Sequence, residues 1–82
     1  MKILLHPITT EKAIKLIEIE NKILFVVAKE SRSEEIKKAF EKDFNVKVEK
    51  VNTLIRGKRK IAYVKLSKET PAVDVATRLG IL

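Results

Sequence analysis

Apolar positions change their period from segment to segment along the chain, and each change marks an element. Ile3, Leu4 and Leu5 form a short apolar run closed by Pro7. Because proline disfavours the helical region for the residue before it, His6 is held extended, and a short strand is predicted over Lys2–Leu5. Thr9 and Thr10 then offer capping hydroxyls, Glu11 places a carboxylate in a first turn, and Ala13, Leu16 and Ile17 recur at helical spacing, which predicts a helix over Thr10–Glu18. Asn21-Lys22 turns the chain into Ile23–Ala28, an unbroken apolar run rich in β-branched residues that reads as a central strand buried on both faces.

Ser31 with Glu34 three residues on has the form of a capping box, and Ile36, Ala39, Phe40 and Phe44 lay an apolar stripe along the helix it opens. Asn45 suits the left-handed end of that helix, and Val46–Ile55 reads as a strand. Its apolar parity shifts between Val48 and Val51, so a bulge is expected near Glu49-Lys50. Gly57 marks a tight turn within Arg56–Lys60, beyond which Ala62, Val64 and Leu66 alternate with Ile61, Tyr63 and Lys65 in a second hairpin arm. Thr70-Pro71 reads as a cap followed by a first-position proline, Ala72, Val75, Ala76 and Leu79 share a helical face, and Gly80 stops that helix.

The order β-α-β-α-β-β-α contains a crossover unit whose two strands run parallel, with the last strand free to slot between them. The expected fold is therefore α+β: a split β-α-β sandwich of ferredoxin-like shape, with a four-stranded mixed or mainly antiparallel sheet packed against helices. With 82 residues and no linker or repeat, residues 1–82 are expected to form a single domain.

Composition narrows the chemistry. Cysteine is absent and His6 is the sole histidine, so thiolate catalysis is excluded and no metal site is expected. No group stands ready to orient a catalytic base, and the two glycines lie too far apart for a phosphate-binding fingerprint, so neither an enzyme nor a cofactor is expected. The apolar runs are too short to span a membrane and no cleavable signal segment is visible; a cytoplasmic protein without membrane insertion is expected.

Charge carries the positive signal. The net charge is +7, and eight of the 18 basic residues lie in 46–69 against two of the 11 acidic ones, so six of the seven net charges sit in that stretch. A localised basic patch is the electrostatic footprint of a nucleic-acid binder. Arg56, Lys58, Arg59 and Lys60 surround a glycine, where long cationic side chains can reach several phosphates, and Lys47, Lys50 and Lys65 extend the patch along the arms. Asn52 and Thr53 could hydrogen-bond RNA backbone or a 2′-hydroxyl, and Tyr63 is the one aromatic outside the expected core of Phe25, Phe40 and Phe44. The pattern favours structured RNA held through its phosphates over base-by-base reading.

Pro7-Ile8-Thr9-Thr10-Glu11-Lys12, Asn21–Val27, Glu35–Ala39, Phe44–Val48 with Val51-Asn52-Thr53, and Gly57 with Lys60–Leu66 follow one another at spacings that resemble the universal large-subunit ribosomal protein L-twenty-three family, along the whole of residues 1–82. The resemblance implies a structural constituent bound to large-subunit ribosomal RNA beside other ribosomal proteins, near the polypeptide tunnel exit, where it helps dock targeting factors. Lys12 then joins the RNA-binding set, and the family's docking segment falls on Thr9, Thr10 and Glu11. Bacterial members carry a long extension between the last two strands, whereas here only Arg56–Lys60 joins them, as in the compact archaeal form. That makes the signal recognition particle the expected docking partner. The isolated chain is expected to be a monomer. A free-standing RNA-binding module and a ferredoxin-like protein-interaction domain are the rival readings; the first would need more exposed aromatics for stacking, and the second would not need this charge.

Overall fold

A computed structural model describes residues 2–82. The elements are β1 (Leu4–Pro7), α1 (Glu11–Glu20), β2 (Lys22–Val27), α2 (Ser33–Phe44), β3 (Val48–Arg56), β4 (Arg59–Leu66) and α3 (Ala72–Arg78). The sheet runs β1-β2-β4-β3 with every neighbouring pair antiparallel. β4 thus lies between β2 and β3, the split crossover arrangement expected of the α+β class.

Strand parity divides the core. On one face Ile23, Phe25 and Val27 of β2 and Ala62, Val64 and Leu66 of β4 meet Ile36 and Phe40 of α2 and Ala72, Val75 and Ala76 of α3. Phe25 and Phe40 meet edge to face with centroids 5.7 Å apart, and Phe44 lies 4.7 Å from Phe40. On the other face Leu24 and Ile61 pack with Ala13 of α1, flanked by Ile8, Leu16 and Tyr63.

Several boundaries differ from the sequence expectation for local reasons. β1 spans Leu4–Pro7 rather than Lys2–Leu5; Pro7 is tolerated because the strand is at the sheet edge, and a register shift between Leu4 and His6 turns Leu5 outward. α1 begins at Glu11 with Thr10 as its cap, the Thr10 hydroxyl accepting from Ala13 N, and continues to Glu20. The expected Ser31–Glu34 box is displaced by one residue. Ser31 is fully buried and its hydroxyl is committed to the Ala28 carbonyl, so Arg32 becomes the cap residue and the Glu35 carboxylate accepts its N–H at 2.8 Å. β3 starts at Val48 rather than Val46, and Val48 N donates out of the sheet to the Glu41 carboxylate of α2 at 3.0 Å. The anticipated bulge is present, with the register shifting between Val48 and Lys50.

At α3, Pro71 is extended and stands outside the helix as its cap residue rather than at the first helical position. The capping atom comes from elsewhere: Asn21 Oδ1 accepts from Ala72 N at 2.6 Å, while Asn21 Nδ2 donates to the Leu66, Ser67 and Thr70 carbonyls, each at 3.1 Å. Asn21 itself ends α1 in the left-handed region at φ 56°, which asparagine tolerates better than most side chains. One side chain therefore joins the end of α1, the end of β4 and the start of α3. Asn21→Ala is expected to cost roughly 2–4 kcal/mol in chemical denaturation, since it strands several polar groups and adds left-handed strain. Asn21→Asp should do little better, because it aims a second acceptor at three carbonyls.

Candidate nucleic-acid interface

Gly57 and Lys58 form a two-residue turn between the paired residues Arg56 and Arg59. Gly57 has φ 62° while Lys58 is not in the positive-φ region, so a glycine at the first central position is what lets the chain reverse within two residues. The turn holds Arg56, Lys58 and Arg59 exposed at the hairpin tip.

Strand pairing then sorts the remaining candidates by face. Leu24↔Tyr63↔Asn52, Ile61↔Leu54 and Arg59↔Arg56 share one side, and the Lys65↔Lys50 pair continues it towards the other end of the hairpin. On the β3-β4 part of this side, Lys50, Asn52, Leu54, Arg56 and Arg59 are exposed and Tyr63 and Lys65 half-buried. It is an open surface of cations, an amide, a leucine and a tyrosine ring. Thr53 lies on the opposite side, opposite Ala62, and is also exposed. Lys47 is exposed just before β3, at the end of the hairpin away from the tip.

Lys60 is the exception among the tip cations. It pairs with Val27 and Ile55 on the covered side, and its ammonium donates to the Ser31 carbonyl at 2.5 Å, tying β4 to the entrance of α2. Parity in β4 carried a signal for this, because Lys60 falls in the same alternation as Ala62, Val64 and Leu66. Lys60→Ala is expected to lower thermal stability while leaving the salt dependence of RNA binding close to that of the wild type, as a titration with rRNA at several ionic strengths would reveal.

Lys12 comes from α1, yet it is brought to the same region. Lys12, Arg56 and Arg59 line an open groove of about 250 Å3 whose inner wall includes Ala13, Leu24, Ile61 and Tyr63. Among the described residues, Lys12, Arg56, Lys58 and Arg59 have no carboxylate partner; Lys65 is held 3.8 Å from Glu49. Such unpaired cations remain available to phosphate. Thr9, Thr10 and Glu11 are exposed at the N-terminal end of α1, and Thr10 also lines this groove. No cluster of metal-binding side chains occurs among the described residues, and no helix is long and apolar enough to cross a membrane.

Residues 2–74 match the family model of ribosomal protein L23. The chain belongs to that family. Curated relatives of the same family include the large ribosomal subunit protein uL23 of Methanothermobacter thermautotrophicus, 46% identical over 81 residues, covering 96% of this chain and 93% of the relative. The large ribosomal subunit protein uL23 of Pyrobaculum aerophilum is 51% identical over 77 residues, covering 92% and 94%. Both relatives are archaeal, in keeping with the compact form that the short Arg56–Lys60 connection resembles. Membership of the L23 family makes this a ribosomal protein and not an enzyme.

Proposed function

We propose that this chain is a structural constituent of the large subunit of the cytoplasmic ribosome and holds large-subunit rRNA with the open side of its β3-β4 hairpin. The observation that carries this reading is the set of cations at the hairpin tip, Arg56, Lys58 and Arg59, exposed together without carboxylate partners among the described residues. Leaving several like charges unpaired on one rigid turn is costly in isolation, and a phosphate backbone removes that cost while releasing counterions. Asn52 and Tyr63 supply the hydrogen-bonding and packing groups between the cationic ends, while Lys12 extends the charge across the groove. Neighbouring large-subunit proteins complete its surroundings. A tagged copy expressed in an archaeal host should co-sediment with the large subunit; recovery only in free or small-subunit fractions would contradict the reading.

We further propose that the chain lies near the tunnel exit, with Thr9, Thr10 and Glu11 as a docking point for the signal recognition particle and other exit factors. The physical support for this is position and charge. Glu11 is exposed in the first turn of a helix anchored by the Thr10 cap, so a carboxylate is presented on a fixed support beside a basic surface. Such an acid can pair with an arginine or lysine of an incoming factor. Glu11→Lys is expected to cost only about 0.3–1 kcal/mol of stability and to leave incorporation intact, while weakening particle binding to the ribosome on the order of tenfold. Unchanged affinity for the particle on Glu11→Lys ribosomes would remove the docking assignment and leave Glu11 as a helix-dipole partner.

A further inference from the structure

The groove between α1 and the hairpin has a composition that phosphate binding alone does not need. Its inner wall is apolar, built from Ala13, Leu24 and Ile61, with the half-buried Tyr63 beside them. Its rim carries Lys12, Arg56 and Arg59, and no carboxylate lines it. At about 250 Å3 it lies below the roughly 300–1,000 Å3 of pockets that take drug-sized ligands. An apolar slot of this size ringed by cations suits a flat, fragment-sized group that arrives attached to an anionic chain.

We propose that this groove seats a single unpaired base extruded from the bound RNA, against Tyr63, Leu24 and Ile61, with the flanking phosphates held by Lys12, Arg56 and Arg59. The inference rests on the RNA-binding reading above and goes beyond it by assigning a base-sized subsite. Protein recognition of RNA bases depends on nucleotides that have left the helix stack, because the major groove of a paired A-form helix is too deep and narrow to be read. Stacking on an aromatic ring accepts any base, since every base has a π-face. Tyr63 is well placed to add selection: it is half-buried, no buried side-chain polar atom among the described residues lacks a partner, and its hydroxyl bonds to no protein group, so the hydroxyl faces solvent where it can donate to or accept from a base edge. The cations decide between a base and an apolar side chain of a neighbouring protein. Three of them at one rim, with no lining carboxylate, complement a phosphate chain and would oppose an ordinary peptide carrying its own lysines.

The test is footprinting of the intact chain on purified large-subunit rRNA, with base-reactive probes and backbone-cleaving hydroxyl radicals used side by side. For the wild type, one unpaired base should be protected within the backbone footprint. Tyr63→Ala should restore the reactivity of that base and weaken binding on the order of tenfold, with the backbone footprint still in place at saturating protein. Tyr63→Phe should keep the protection. Circular dichroism of each variant establishes that it is folded. A normal backbone footprint with no base whose protection depends on Tyr63 would overturn the subsite and leave the phosphate-binding reading standing. Absence of any footprint on large-subunit rRNA would instead overturn the underlying reading.

Discussion

Phe40→Ala should lower the free energy of unfolding by about 3–5 kcal/mol. Phe40 is fully buried, at 0% exposure, and is the largest side chain of the core to be so enclosed. It meets Phe25 of the central strand edge to face and Phe44 of its own helix at 4.7 Å. Truncation removes both aromatic contacts and leaves a void between α2 and the sheet that a chain with rigid β2 behind it cannot collapse. Small domains have only about 5–15 kcal/mol in total, so much of the protein should be unfolded at moderate temperature. Phe40→Leu should recover part of the loss. Equilibrium denaturation checks both variants, and a midpoint near the wild-type value for Phe40→Ala would contradict the placement of α2's buried stripe.

Replacing Arg56, Lys58 and Arg59 together by alanine should leave the fold intact and largely remove RNA affinity. All three are exposed, and none of their side chains takes part in an ion pair or hydrogen bond among the described residues, so little structural energy is lost. If each neutralises one phosphate, the plot of log affinity against log salt concentration should become shallower by about 2–3, at roughly 0.7–0.9 per contact. A control triple, Lys37, Lys38 and Lys42 to alanine on exposed positions of α2, should leave the slope nearly unchanged. The control matters because it removes the same net charge from a different side of the molecule. Titration of rRNA at several salt concentrations separates a directed contact from a general loss of positive charge.

The elements were legible because their apolar periods are long enough to distinguish. β2 is a continuous buried run, α2 a sustained stripe, and the parity break after Val48 forecast the bulge that β3 contains. What escaped is contact between distant residues. Asn21 finds its partners among residues 66–72, and nothing in the local pattern around Asn21-Lys22 distinguishes it from an ordinary turn asparagine. Ser31 has the sequence setting of a cap, but its side chain is buried and its hydroxyl donates to the Ala28 carbonyl, a contact that local spacing does not reveal. The candidate interface was legible as charge density but not as geometry. Charge clustering does not separate Lys60, which fastens β4 to the entrance of α2, from Arg59 one residue before it; only the strand parity that Lys60 shares with Ala62, Val64 and Leu66 does. The groove joining Lys12 to Arg56 and Arg59 exists only once α1 lies against the sheet.

Whether the open side of the hairpin faces rRNA in the large subunit is decided by comparing lysine acetylation in the isolated chain and in assembled large subunits, residue by residue, by mass spectrometry. Lys12, Lys50, Lys58 and Lys65 should lose most of their reactivity on assembly, while Lys37, Lys38 and Lys42 on the outer side of α2 should keep theirs. Protection of the α2 lysines with Lys50, Lys58 and Lys65 still reactive would place the RNA on the opposite side of the molecule and rule out the hairpin as its binding surface.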